Sequence, residues 1–262
     1  MKPDSRYWDG VLDESRDAGS LEAWRAYMAA VYGGLVDTWL AETAAGRCLK
    51  TDLFEEAVSR HHPLTSLPCG GVGVDASLSV AGRARRRLSQ EGHSYGIVAG
   101  DLRQLPFRQE GFGGVLSGSS LDHFASDREL QEGLAGLAQI LEPGGTLILT
   151  LDNPQNPVVW LRNRLPFRLL RWLKLVPYYV GKTYSWRQAS RELENVGLRV
   201  DSIGAVVHVP RIPAIWLSIL AEWLGWPAAE SLTRFYMGFE RLQRWPTRFL
   251  TGYYIAVRAL KL

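Results

Sequence analysis

Three aspartates recur at the interval of one strand-and-helix unit: Asp52, Asp75 and Asp101, 23 and 26 residues apart. Each closes a run that reads as a β-strand: RCLKTDLF (47–54), GGVGVDAS (70–77) and the start of YGIVAGDLRQLPF (95–107). In an open parallel sheet, ligands sit beyond the carboxyl ends of the strands. A carboxylate after the second strand can accept two hydrogen bonds from ribose hydroxyls. One after the third can accept from an adenine amino group, with the apolar Leu102 against the ring. Any one of these acids alone reads as a loop residue or a helix cap; the three in register point to a nucleotide-type ligand.

Two histidines are candidates for acid–base work. His123, in SSLDHF, follows the fourth strand, and a base there could deprotonate a hydroxyl or an acidic carbon. His208 ends a late strand before Pro210 and Arg211. His61, His62 and His93 fall in expected loops without convincing metal partners, so no metal is expected.

Alternating elements must position these groups. After the three strands come GFGGVLSGSSLDHF (111–124), a helix ending in EPGG, and the apolar run TLILTLDN (146–153). Strands that alternate with helices and read as unbroken apolar runs imply an α/β, doubly wound, mostly parallel sheet covered on both faces. Before it, residues 20–42 carry a helical repeat with Ser20 as N-cap and Gly33-Gly34 as a break or bend. After it, SWRQASRELENVGL (185–198) reads as a capped helix ended by Gly197, 199–209 as a strand, 212–245 as two helices, and 252–262 as a closing strand. The expected organisation is an N-terminal helical segment (1–45), a cofactor-binding core (46–155), and a basic, Trp-rich part (156–262) with cap helices and the last strands.

Composition narrows the possibilities. The chain has 262 residues, 46 % of them hydrophobic, and no polar-flanked apolar leader or uninterrupted spanning run, which suits a cytoplasmic protein. Cys48 and Cys69 are too few for a cysteine-based zinc site and read as reduced thiols, although one disulfide is arithmetically open. The net charge of +3 conceals a balance of −6 in residues 1–150 and +9 in 151–262, and seven of the ten Trp lie in the second part.

The ordered set GVGVDAS, GDLRQLPF, FGGVLSGSSLDHF and LAQILEPGGTLILTLDN resembles the class I S-adenosylmethionine-dependent methyltransferases, over roughly residues 46–155. The resemblance implies a seven-stranded Rossmann-like sheet and S-adenosylmethionine as methyl donor, released as S-adenosylhomocysteine. It implies that Asp75, with Ala76 beside it, holds the ribose, that Asp101 and Leu102 hold the adenine, and that Ser117 to Ser119 line the donor. A G-x-G turn normally follows the first strand in this family. Here Thr51 and Asp52 match the strand end and its acid, but Phe54 and Glu56 replace the glycines. The donor has no pyrophosphate needing an amide cradle, and acids such as Asp52, Glu55 or Glu56 could balance its cationic sulfur.

Between Val159 and Val176 lie Arg162, Arg164, Arg168, Arg171 and Lys174, interleaved with aromatic and aliphatic residues and divided by Pro166. Three readings compete: a substrate-covering lid, a peripheral membrane contact, or a nucleic-acid patch. The aromatic content favours the first two and argues against nucleic acid. The whole reading is a methyltransferase of a hydrophobic small molecule or lipid-like metabolite, with oxygen before carbon as acceptor. The alternatives are a methyltransferase-like scaffold that transfers nothing, or a non-methylating natural-product enzyme on the same fold. Oligomeric state is not legible.

Overall fold

The structure is a computed structural model and describes residues 5–16, 21–40, 46–68, 70–172, 176 and 179–262. Two helices come first, α1 (Ser5–Arg16) and α2 (Glu22–Trp39). The core follows as β1 (Cys48–Thr51), α3 (Phe54–Val58), β2 (Gly71–Asp75), α4 (Leu78–Gln90), β3 (Gly96–Ala99), β4 (Phe112–Gly118), α5 (Asp127–Ile140) and β5 (Leu141–Asp152). The remainder is α6 (Pro157–Arg164), α7 (Phe167–Trp172), α8 (Trp186–Asn195), β6 (Leu198–Val206), α9 (Arg211–Trp223), α10 (Ala229–Phe239), a 3-10 turn Glu240–Arg244, α11 (Arg248–Thr251) and β7 (Tyr254–Lys261).

One seven-stranded sheet runs β3-β2-β1-β4-β5-β7-β6. All neighbours pair parallel except β7, which enters antiparallel between β5 and β6. The strand order reverses between β1 and β4, which puts the switch point at the ends of β1, β2 and β4. Both faces are covered, as the unbroken apolar strands require. Along β5, Ile148 packs on the side of α2, α4 and α9, whereas Leu147 and Leu149 pack toward α5 and α8. The expected α/β, Rossmann-like, mostly parallel sheet with helical insertions around the late strands is the observed fold.

Local signals fare unevenly. Ser185 and Gln188 form a reciprocal capping box on α8, and Gly197 takes φ 84° just past its end. Pro166 separates α6 from α7 as expected. Gly33-Gly34 do not break α2, which runs unbroken through them. Its buried stripe of Tyr27, Val31, Leu35 and Val36 offsets the roughly 1 kcal/mol that each helical glycine costs. Ser20 lies outside the described residues. The amides of Leu21 and Glu22 at the start of α2 instead donate to the Glu222 carboxylate at 2.9 and 2.8 Å, a cap supplied from α9. Cys48 is disulfide-bonded, not the reduced thiol expected; Cys69 lies outside the described residues.

Candidate active site

At the carboxyl ends of β1, β2 and β4 opens a cavity of about 460 Å³. It begins with an unusual turn. Asp52, directly after β1, adopts φ 66°, a left-handed conformation that aspartate tolerates better than most residues. Its Oδ1 accepts the Phe54 amide at 2.8 Å, which starts α3 without a glycine. Lys50 underpins the turn: buried, it donates to the Asp52 carbonyl and to Glu56 Oε2. Burial works against the lysine charge, and Glu56 and Asp52 outweigh it and hold its pKa above the ordinary value. Space for the turn comes from the neighbouring strand. A Cβ at Gly73 would run into Leu53, so the small residue that this site needs sits in β2 and not in the loop.

The acids converge. Asp75 accepts the amides of Leu53 and Ser77, each at 2.8 Å, and lines the cavity with Asp52, Glu55 and Ala76. Burial, with Asp52 nearby, pushes Asp75 up to about 7. Glu55 is also pushed to about 7, by burial and by Asp52 and Glu56, against the pull of Arg25. Asp101 and Leu102 line the same cavity, but the Asp101 carboxylate is clamped by Arg103 through Nε at 2.9 and 3.0 Å and Nη2 at 2.5 Å. Burial alone would raise Asp101; the Arg103 bonds hold it below its usual range.

Ser119, left-handed at φ 51°, reaches the cavity and donates to the buried Asp122 at 2.7 Å. Thr51 and Ser117 lie fully buried beneath it, hydrogen-bonded to each other at 3.1 Å, and Thr51 also meets Ser120 at 2.6 Å. Glu56 too is buried behind the wall, accepting from Lys50 and from the Leu64 amide. These three support the site and do not line it.

His123 lines the cavity, edge-on to Trp8 at 4.5 Å between ring centroids. Its Nδ1 lies 3.0 Å from the Tyr179 carbonyl, which can only accept, so the proton sits on Nδ1 and Nε2 carries the lone pair. Burial lowers its pKa from the ordinary value, despite that bond and the nearby acids. His208 does not line the cavity. It is buried near β7, with Nδ1 on Thr251 Oγ1 at 2.8 Å and Nε2 on the Ala205 carbonyl at 2.9 Å, so both ring nitrogens are engaged.

The cover of the cavity differs from expectation. Among the described residues, α6 and α7 do not line it; they border a separate hollow of about 350 Å³ with Arg162, Phe167 and Lys182. The wall comes from the N-terminal helices: Trp8 and Val11 of α1, and Trp24, Arg25, Met28 and Tyr32 of α2. Helix α1 is tied down at both sides, since Asp9 accepts from Ser77 at 2.6 Å and the Tyr7 hydroxyl accepts the Tyr179 amide at 2.6 Å. Their helical spacing pointed only to packing.

Residues 39–145 match the family model described as Methyltransferase domain. Over these residues the chain is similar to a methyltransferase domain. Solved structures agree in fold. A geranyl diphosphate C-methyltransferase from Streptomyces coelicolor A3(2), in complex with Mg2+, geranyl diphosphate and S-adenosyl-L-homocysteine, superposes with a TM-score of 0.57 at 13 % identity, covering 90 % of this chain and 79 % of that one. A SAM-dependent methyltransferase of Thermotoga maritima, described as a possible histamine N-methyltransferase, gives 0.55 at 14 % identity and 91 % of both chains. The [4+2]-cyclase SpnF gives 0.54 at 16 %, covering 87 % and 79 %. None of the curated proteins compared matches the chain. Among the described residues there is no cluster of His, Cys, Asp or Glu suited to a metal ion, and no helix long and apolar enough to cross a membrane.

Proposed function

We propose that this chain uses S-adenosylmethionine to methylate a hydrophobic small molecule or lipid-like metabolite, on oxygen first and carbon second. The observation that carries the reading is the group of half-buried carboxyls, Asp52, Glu55 and Asp75, around one cavity at the switch point of a methyltransferase-type sheet. Burial first, and repulsion by the facing carboxylates second, raise Asp75 and Glu55. A cationic ligand relieves that repulsion, so the residues present fit the donor. Asp75 would hold the ribose, Asp52 and Glu55 the charged methionine end, and Leu102 one face of the adenine.

When bound, the donor supplies an electrophilic methyl group. The chain's own residues do the rest. Trp8, Trp24, Met28 and Phe124 give the acceptor an apolar, water-poor chamber. His123 takes a proton from the acceptor at Nε2, its ring held by Tyr179, and positioning supplies much of the remaining rate. A second reading, a non-methylating enzyme on the same fold, draws on the Arg103 clamp that occupies Asp101 and on the fold shared with a cyclase.

Calorimetric titration with S-adenosylmethionine and S-adenosylhomocysteine tests the proposal. Micromolar binding, weakened at least about tenfold in Asp75→Ala by loss of charge-assisted hydrogen bonds, is the expected result. No binding to either by folded protein would overturn it. Conversion of an acceptor without S-adenosylhomocysteine release would favour the second reading.

A further inference from the structure

Helix α9 is built inside out. Its small residues Ala214, Ser218 and Ala221 face inward at 3, 1 and 4 % exposure. Ile215 and Leu217 pack partly against the core, but Ile212, Trp216, Ile219, Leu220 and Trp223 face water, with Trp216 67 % and Trp223 79 % exposed. The spacing i, i+4, i+7, i+8, i+11 makes this one stripe, and it continues into exposed Leu224 and Trp226. Scattered surface leucines need no explanation, but a contiguous stripe of this size marks a contact face.

The stripe does not stand alone. Arg211 at the start of α9 and Arg162 of α6 lie over the same Tyr253 ring, at 4.9 and 5.9 Å from its centroid. Asn156, the N-cap of α6, donates to the carbonyls of Leu250 and Thr251 in α11. So α6, α11 and the start of α9 converge, and each presents exposed apolar side chains, Val158 and Leu161 from α6 and Leu250 from α11. Exposed Arg164 lies in α6, exposed Arg168 in the following α7, and exposed Arg241 and Arg244 in the 3-10 turn that precedes α11. Of the acids in α9, α10 and that turn, Glu222 caps α2 and Glu240 is buried, and exposed Glu230 pairs with Arg234 at 3.9 Å.

We propose that this face docks on an anionic lipid surface, with the indoles of α9 in the headgroup boundary and the arginines on lipid phosphates. Charge complementarity selects the occupant. A second copy seated face to face would set the same cationic rim against itself, whereas anionic headgroups complement it. Arg211 and Tyr254 also line the cavity. The docked face therefore adjoins the chamber, and an apolar acceptor could pass from lipid to site without crossing water.

Sedimentation with vesicles of phosphatidylcholine alone, and of phosphatidylcholine mixed with phosphatidylglycerol, tests the inference without donor or acceptor, so it stands apart from the methyltransferase reading. The expected result is binding to the mixed vesicles, weaker binding to phosphatidylcholine alone, and release by high salt. A Trp216→Glu, Trp223→Glu double variant should lose at least tenfold in partitioning while keeping the wild-type circular dichroism, since both side chains are exposed. Arg241→Glu with Arg244→Glu should abolish the preference for anionic vesicles. Absence of wild-type binding, or unchanged partitioning of the tryptophan variant, would overturn the inference. So would light scattering that shows a wild-type dimer made monomeric by Trp216→Glu, Trp223→Glu with no vesicle binding in either form; the face would then join two copies.

Discussion

At the scale of single residues, the site is set by titration and by one proton's position. Asp75 and Glu55 are raised to about 7, so each binds its proton more tightly folded than unfolded. Stability without ligand should therefore fall as pH rises from the ordinary carboxylate range through 7, and thermal melts between pH 5 and pH 8 check the sign. A cationic sulfur benefits from the ionised pair and a neutral one does not. The ratio of S-adenosylmethionine to S-adenosylhomocysteine affinity should thus grow from pH 6 to pH 8 by about tenfold, the worth of one pKa unit, and calorimetry at both pH values measures it. Burial lowers the pKa of His123, which favours the neutral imidazole. Under the proposed role, His123→Ala should cut turnover by about 10²–10⁴-fold with donor affinity nearly unchanged, read by single-turnover kinetics beside a binding titration. Asp52, Asp75, Ala76, Asp101, Leu102, Ser119 and His123 were legible as residues for the cavity because strand ends fix them in register. Lys50 and Arg103 were not singled out for it, because their roles depend on neighbours that the turn brings around, whereas Glu55 was named beside Asp52 and Glu56 as a counter-charge.

At the scale of elements, propensity and packing can be separated. Gly33 and Gly34 sit mid-helix in α2, and a Cβ at either meets nothing within 4 Å. Gly33→Ala and Gly34→Ala should each stabilise the protein by roughly 0.5–1 kcal/mol, a rise of about 2–4 °C per kcal/mol in a melt. Gly73→Ala should do the opposite, at a cost of about 1–3 kcal/mol, because its Cβ would displace Leu53 and with it the Asp52 turn. The two opposite signs for one substitution type come from the surroundings alone. Strand identity, the capping box of α8 and the break at Pro166 were legible because each is local. That α1 and α2 wall the cavity, and α6 and α7 do not, was hidden because helical periodicity shows which side of a helix is apolar, not what it covers.

At the scale of the whole molecule, distant segments are joined by buried polar links. Glu240, after α10, accepts the Tyr27 hydroxyl of α2 at 2.5 Å and the amides of Val207 and His208 at 3.2 and 2.8 Å. Burial and the facing carboxylate drive the Tyr27 pKa far up, so it stays a donor. Glu240→Ala would strand three buried donors, at about 1–3 kcal/mol each in the additive limit. Denaturant unfolding should show a loss of several kcal/mol, with Glu240→Gln falling between. The sequence by itself determined the alternating elements, the order of the strands' acids and the charge split, because apolar periodicity and turn residues act over a few neighbours. Only the tertiary structure decided that Asp52 turns left-handed to start α3 without a glycine, that Gly73 clears its space, that His208 lies away from the cavity, and that α9 turns its tryptophans outward. Each of those depends on contacts between residues far apart in the chain, and no local pattern encodes them.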